Sequence, residues 1–172
     1  MNRHHLTPEG YDKLVAELRN FKEVVRPQIV RDIEEARAHG DISENSEYED
    51  AKERQAHCEG RIAYLENVLA ASEIVDITKL SPSSRVVFGT TVLLADSESG
   101  DERRWRIVGE IEADLDKGSI SYVSPLAKAI IGREEGDEVT VPTPQGPRRW
   151  EIVEVAYLGP DEAADGDDAA AD

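Results

Sequence analysis

The chain has little cysteine, few aromatic residues and a shortage of positive charge, and each shortage excludes a class of protein. Cys58 is its one cysteine, so an intramolecular disulfide framework is impossible. The sequence has 20 basic and 37 acidic residues, a net charge of −17. This excess of negative charge argues against a protein that coats nucleic acid or binds an anionic membrane surface. No run approaches the roughly 20 apolar residues of a membrane helix, and the N-terminus lacks an apolar signal core. We therefore expect a cytoplasmic protein that binds no membrane.

Composition divides the 172 residues into four segments. Residues 1–78 are rich in Ala, Glu and Arg, residues 79–85 form a Ser/Pro linker, and residues 86–158 hold β-branched runs broken by Gly and Pro. Residues 159–172 form an acidic tail without a large apolar side chain. Such a tail cannot bury enough surface to offset its ordering entropy, so we expect it to be disordered and to serve only solubility.

Two apolar stripes in residues 1–78 predict an antiparallel helical hairpin. Their members recur at steps of mainly three and four, the spacing of a coiled-coil seam. They are Tyr11, Leu14, Leu18, Phe21 and Val25, continued less regularly by Ile29, Ile33 and Ala36, then Ala51, Cys58, Ile62, Leu65 and Leu69. A short connection between the helices makes them antiparallel and places Val25 opposite Ile62. On periodicity alone, a dimerisation or spacer hairpin is the simpler interpretation.

Local signals give the limits of these helices. Thr7 before Pro8 is typical of a helix start, and Gly40 is typical of a helix stop. Pro27 lies within the first stripe, so we expect a kink or a break there.

Residues 86–158 predict a small α+β domain of antiparallel sheet and one short helix. The helix is expected at Pro125–Ile131, with Ser124 as N-cap and Gly132 as the stop. Strand signals are Arg85–Phe88, Thr90–Ala95, Arg103–Val108, Ser119–Tyr122, Glu138–Thr143 and Arg149–Tyr157.

The connection between the two helices carries a pair of carboxylates, Asp41 and Glu44. Hard oxygen ligands at this spacing can bind Mg²⁺ through one or two carboxylates and leave other positions to water and phosphate. Such an open site holds a metal only if another macromolecule completes it. A solvated turn that caps a helix explains the same pair, because acidic groups favour helix N-termini.

Two separated motifs resemble those of a known family. The first is ARAHGDISENSEY at residues 36–48, followed by AKE at 51–53 and CEGRI at 58–62. The second is SYVSPLAKAII at residues 121–131, followed by Gly136 and Asp137. Together they resemble the Gre transcript-cleavage factors of bacterial RNA polymerase, the GreA branch more than the GreB branch, over residues 6–158.

This resemblance implies a fold and a mechanism. It implies that the second domain is FKBP-like without isomerase activity, and that it docks at the rim of the polymerase secondary channel. The hairpin then delivers Asp41 and Glu44, which help to hold the second Mg²⁺ and to orient a water, with Ser43 and Asn45 shaping the tip. The polymerase itself cuts the backtracked RNA 3′ end, so this protein is not an independent enzyme.

Arg37 and Lys52 lie near the tip on facing helices, where Gre factors carry a basic patch close to the RNA. They are therefore candidates for contact with RNA phosphates, which position RNA without reading its bases. Ordinary ion pairs with Glu34, Glu35 or Glu53 explain the same two residues equally well. Contact with DNA is expected only through the polymerase.

Two other functions compete with transcript cleavage. A Gre-like inhibitor that blocks the channel without helping cleavage has the same architecture, although the retained Asp41 and Glu44 favour the cleavage factor. A free-standing peptidyl-prolyl isomerase or chaperone is suggested by the expected fold of the second domain, but it leaves the acidic tip unexplained.

Overall fold

A computed structural model describes residues 3–40 and 45–159, which belong to two compact units. One unit spans Tyr11–Ser72 and is helical; the other combines Arg3–Gly10 with the chain from Glu73 onward and contains the main sheet. The α+β class with a helical hairpin followed by a sheet domain is confirmed. No helix among the described residues is both long and apolar enough to cross a membrane.

The helices begin and end close to the predicted limits. They are α1 (Pro8–Asn20), a π-helical turn (Phe21–Val25), α2 (Arg26–Ala38) and α3 (Ser46–Ala70). The Thr7 hydroxyl accepts a hydrogen bond from the Gly10 N–H at 3.1 Å, as an N-cap does. Gly40 has φ +119°, a conformation that favours glycine and ends the first arm of the hairpin.

The predicted seam forms the core of the hairpin. Its buried members are Ile29, Ile33, Ala51, Cys58 and Ile62. Ion pairs between the arms follow the predicted mirror register, since Lys22 pairs with Glu66, Arg26 with Glu59, and Arg54 with Asp32. Near the end of α3, Val68 is buried where the stripe had predicted Leu69.

The π-helical turn accommodates both Pro27 and an irregular stretch of the stripe. From Phe21 to Ile33 the apolar residues recur in steps of four, and each such step carries an α-helical stripe about 40° off its face. The π-helical turn at Phe21–Val25 is wider than an α-helical turn and therefore returns the apolar stripe to the face that packs against α3. It also removes the clash that a proline ring makes with the carbonyl four residues earlier, and the Arg26 N–H bonds to the Phe21 carbonyl instead. The helix therefore continues through Pro27 without a break.

The second unit contains a five-stranded sheet. Its strands are β3 (Thr91–Asp96), β4 (Glu102–Val108), β5 (Ser119–Ser121), β6 (Glu138–Thr143) and β7 (Gly146–Ala156). They lie side by side in the order β5-β4-β3-β7-β6. All neighbours are antiparallel except β4 and β5, which are parallel. The register of β3 on β7 shifts between Leu93 and Leu94, and Val153 is the extra residue of this bulge.

One short helix, α4 (Pro125–Ile130), covers the apolar core of this sheet. Ser124 caps it as predicted and accepts a hydrogen bond from the Ala127 N–H at 3.2 Å. Trp150, Ile107 and Ile130 are buried in this core. The predicted strand at 85–88 does not form, because Val86 exchanges backbone hydrogen bonds with Gly132 and Arg133 in a loop and only an isolated bridge joins Arg85 to Glu134.

The segment Arg3–Gly10 packs in the second unit, although the sequence groups it with the hairpin. Strand β1 (His4–Leu6) pairs with β2 (Ser72–Ile74). The Glu112 carboxylate accepts hydrogen bonds from the Thr7 N–H and hydroxyl. A Cβ at Gly109 would lie 2.4 Å from the His5 carbonyl oxygen, so only glycine permits this close approach.

Candidate functional site

The candidate site lies between the end of α2 and the start of α3. Asp41, Ser43 and Glu44 lie outside the described residues, whereas the helix ends on both sides are described. His39 is the C-cap of α2 and Asn45 is the N-cap of α3. The candidate carboxylates therefore come directly before a helix N-terminus, where the helix dipole favours negative charge.

Asn45 joins the two helix ends through its side-chain amide. Its Oδ1 accepts a hydrogen bond from the Tyr48 N–H at 3.2 Å, which satisfies one free donor of the first turn of α3. Its Nδ2 donates to the Ala36 carbonyl at 2.6 Å, which also accepts a hydrogen bond from the His39 N–H at 3.2 Å. The start of α3 is thereby tied to the last turn of α2.

A second contact between the helix ends joins His39 to Glu47. His39 Nδ1 lies 3.2 Å from Glu47 Oε2, and both side chains are more than half exposed. An exposed pair of this kind stabilises by only about 0–1 kcal/mol, so the Asn45 amide is the firmer connection.

A third contact places Arg37 over the ring of Tyr48. The Arg37 Cζ lies 5.8 Å from the ring centroid, and Tyr48 packs against the buried seam. Lys52 instead donates a hydrogen bond from Nζ to Gln55 Oε1 at 3.0 Å. Arg37 and Lys52 are both exposed, and neither forms an ion pair with any residue that the structure describes. Pairing with Glu34, Glu35 or Glu53 is thus absent from the described part of the chain.

Further from the tip, ion pairs between the two arms stabilise the hairpin. Arg26 donates from Nε and Nη2 to the two carboxylate oxygens of Glu59, each at 2.7 Å. This bidentate hydrogen bond lowers the pKa of Glu59 below its usual value. The pKa of Asp32 is also lowered, first by a hydrogen bond from Gln28 and then by one from Arg54. Both carboxylates are therefore ionised at neutral pH and strengthen the contact between the arms.

No group of three metal-ligating side chains occurs within residues 3–40 and 45–159. Cys58 is buried in the seam, and this burial raises the pKa of its thiol. A protonated, enclosed thiol is a structural residue, as its place in the apolar stripe predicted. Sequence reasoning missed the contact of Tyr48 with Arg37, although an aromatic residue three positions after an N-cap on the inner face was a usable signal.

Comparison with known proteins adds two matches that follow one another along the chain. A family model described as "Transcription elongation factor, N-terminal" matches residues 4–74. A second, described as "Transcription elongation factor, GreA/GreB, C-term", matches residues 81–157. The described hairpin lies within the first match, and the five-stranded sheet lies within the second.

Relatives of similar length agree with these matches. The transcription elongation factor GreA of Anaeromyxobacter sp. (strain K) is 54% identical over 92% of this chain and 95% of its own length. The GreA of Xanthomonas axonopodis pv. citri is 52% identical over 89% of this chain and 97% of its own. The solved GreA factor homolog 1 of Thermus thermophilus is 31% identical, covers 90% of this chain and 99% of its own, and has a TM-score of 0.40.

A helical hairpin joined to a small sheet domain, matched by both family models in order, defines an elongation-factor architecture. This chain belongs to the GreA/GreB family of transcription elongation factors.

Proposed function

We propose that this protein binds bacterial RNA polymerase through the secondary channel and stimulates the polymerase's own cleavage of backtracked RNA 3′ ends. Arrested complexes are thereby rescued, in the cytoplasm and without an independent active site on this chain. The observation that carries the proposal is a helical hairpin within the residues that the family model matches, with Asp41 and Glu44 between its two helices in the sequence. The GreA names of relatives at about half identity support the same function.

The hairpin geometry suits delivery of a small group into a narrow space. Helix α3 has 25 residues and is about 37 Å long at 1.5 Å per residue. Asn45, which follows Glu44 in the sequence, ties the two helix ends together. A ligand held in position replaces a diffusive encounter and removes its entropic cost.

The proposed role of Asp41 and Glu44 is to complete a metal site of the polymerase. Mg²⁺ keeps several waters and is bound by one or two carboxylates together with substrate phosphate, so an open pair suits a shared ion. In a two-metal site, the ion stabilises the attacking and leaving oxygens of phosphodiester hydrolysis. The two carboxylates hold this ion jointly with the polymerase and orient the attacking water. Ser43 and Asn45 maintain the shape of the tip.

The remaining contacts follow from charge and position. Arg37 and Lys52 are the proposed contacts of the hairpin with the extruded RNA, through phosphates. The sheet domain is the proposed contact with the polymerase surface. DNA is reached only through the polymerase, in keeping with the net charge of −17.

A stalled-complex assay tests the proposal. Purified polymerase is backtracked on a template, the factor is added, and RNA length is followed with time. We expect the wild type to shorten the RNA from its 3′ end and the D41A/E44A variant to lose this activity while still competing with the wild type for polymerase. The matched control is E49A/D50A, which removes the same charge from two exposed positions of α3.

Three outcomes of this assay have distinct meanings. RNA shortening in the presence of E49A/D50A, with none in the presence of D41A/E44A, supports the proposal. Cleavage by D41A/E44A at the wild-type rate overturns the role of the tip carboxylates. Slower elongation without RNA shortening by the wild type identifies a channel-blocking inhibitor instead.

A further inference from the structure

The end of the hairpin is strongly acidic, so any contact with RNA phosphate there requires a well-placed cation. Residues 34–53 contain eight acidic side chains and two basic ones, Arg37 and Lys52. Each nearby carboxylate repels a phosphate and also competes for the cation. How the two basic side chains are held therefore decides which one is available to RNA.

Arg37 is held by an aromatic face. Its Cζ lies 5.8 Å from the Tyr48 ring centroid, within the range of about 6 Å for a cation–π contact. Tyr48 is itself fixed, because its ring packs against the buried seam and its N–H is bonded to Asn45. The ring is thus a rigid platform at the last turn of α2.

This mode of holding does not itself occupy the N–H donors of the guanidinium. A carboxylate partner consumes one or two of the five N–H donors of arginine, whereas an aromatic face attracts the cation without accepting a conventional hydrogen bond. Arg37 has no ion pair with a described residue, and the nearby Glu47 is bonded to His39. The contact with Tyr48 thus consumes none of the donors that the bidentate geometry of phosphate binding requires.

Lys52 is held differently. Its Nζ donates to Gln55, which lies one turn further from the start of α3. Lys52 itself is seven residues after Asn45, which corresponds to about 10 Å along the helix axis. Its charge is directed away from the hairpin end.

We propose that Tyr48 is a positioning residue for Arg37, and that Arg37 rather than Lys52 supplies the main phosphate contact at the hairpin end. This inference rests on the proposed function and deepens it, because it names how the hairpin holds RNA in a site crowded with carboxylates. Tyr48 acts only through Arg37 and touches neither RNA nor metal.

A double-mutant cycle of cleavage rates tests this inference. The variants are Y48L, R37A and the two combined, with Y48F as the matched control that keeps the ring and K52A as the comparison cation. We expect Y48L to slow cleavage about two- to fivefold, the loss of an exposed cation–π contact. Y48F should stay near wild type, and K52A should lose less activity than R37A. In the R37A background, Y48L should change nothing further.

The salt dependence of cleavage supplies a readout that a purely structural role would not move. Loss of a phosphate contact reduces the slope of rate against salt. R37A and Y48L should both show a shallower slope, and Y48F should keep the wild-type slope. Equal slowing by Y48L with and without Arg37 would overturn the inference and assign Tyr48 to packing alone.

A measurement on the free protein separates this inference from the proposed function. Nitrogen-15 relaxation of the Arg37 Nε–Hε group should show an ordered side chain in the wild type and Y48F, and a mobile one in Y48L. If the wild type gives no RNA cleavage, the proposed function fails. This measurement still shows whether Tyr48 orders the Arg37 side chain. A wild-type Arg37 as mobile as a solvated arginine would overturn the inference by itself.

Discussion

Asp96 shows how a single residue keeps a negative charge inside this acidic protein. It ends β3 and is only 5% exposed. Its Oδ1 accepts hydrogen bonds from the N–H groups of Glu98 and Ser99, and its Oδ2 accepts one from Arg148 Nε at 2.7 Å. The two backbone hydrogen bonds and then Arg148 lower the pKa of Asp96 below its usual value.

The lowered pKa of Asp96 predicts a specific pH dependence of stability. A carboxyl whose pKa is lower in the folded state stabilises the fold above its unfolded pKa of about 3.9, and this stabilisation is lost as pH falls through the folded pKa. D96N should therefore have a lower free energy of unfolding at neutral pH, and its difference from wild type should shrink on acidification. Urea unfolding at several pH values measures this difference.

The neighbouring Asp101 supplies the control for that measurement. Its side chain is exposed, so D101N should unfold like the wild type across the same pH range. A difference between D96N and wild type that stays constant down to about pH 2 would contradict the account of Asp96.

At the scale of elements, α2 and α3 are joined at their ends by one amide side chain. Asn45 combines a helix cap with a hydrogen bond to the Ala36 carbonyl of the opposite helix. A cap is worth about 1 kcal/mol, and a further part-buried hydrogen bond about as much. Asn45 therefore contributes more to the stability of the hairpin end than the exposed His39–Glu47 pair does.

Two substitutions of Asn45 separate its cap from its cross-helix bond. N45A loses both and should lower the free energy of unfolding of the hairpin by about 2 kcal/mol. N45S keeps a capping oxygen but cannot reach Ala36, so it should lose about half as much. Urea unfolding followed by helical circular dichroism measures both. S46A, at an exposed position, should unfold like the wild type, and N45A unfolding like wild type would contradict this account.

The elements differ in how well the sequence predicted them. The hairpin seam was predictable because a helical stripe depends only on spacing, as Ile33 and Ile62 show. The π-helical turn was not, since it resolves a conflict between Pro27 and the inter-arm register that appears only when both arms pack. The predicted strand at 85–88 failed because Val86 packs in the core from a loop, bonded to Gly132 and Arg133 and not to a neighbouring strand.

The candidate site was predictable in part for a similar reason. The resemblance of residues 36–48 to the Gre motif made Asn45 and Arg37 candidates, because a motif is recognised by residue type and position along the chain. The contact of Arg37 with Tyr48 joins two helices and depends on their register, which no local pattern specifies. Asp41 and Glu44 lie outside the described residues, so their role stays a prediction.

At the scale of the whole molecule, net charge says less about function than its distribution does. Six of the 37 acidic residues lie in residues 161–172, and that segment has no basic residue. The proposed chemistry uses two acidic residues at the end of the hairpin. In the proposed function, the polymerase supplies the cationic environment that holds the RNA.

This distribution predicts that the tail is dispensable for cleavage. A variant ending at residue 160 removes six negative charges and none of the proposed site. It should shorten backtracked RNA at the wild-type rate, while its solubility near the isoelectric point falls. RNA length against time for both proteins measures this, and a large loss of cleavage would assign the tail a direct role.

The central claim is that Asp41 and Glu44 improve a metal site of the polymerase. Its most direct test is the rate of RNA 3′ cleavage in backtracked complexes against Mg²⁺ concentration, with wild type, the isosteric D41N/E44Q variant, or no factor. Wild type should lower the Mg²⁺ concentration needed for half-maximal cleavage, and D41N/E44Q should need as much Mg²⁺ as the polymerase alone. A variant curve that coincides with the wild-type curve would contradict the account.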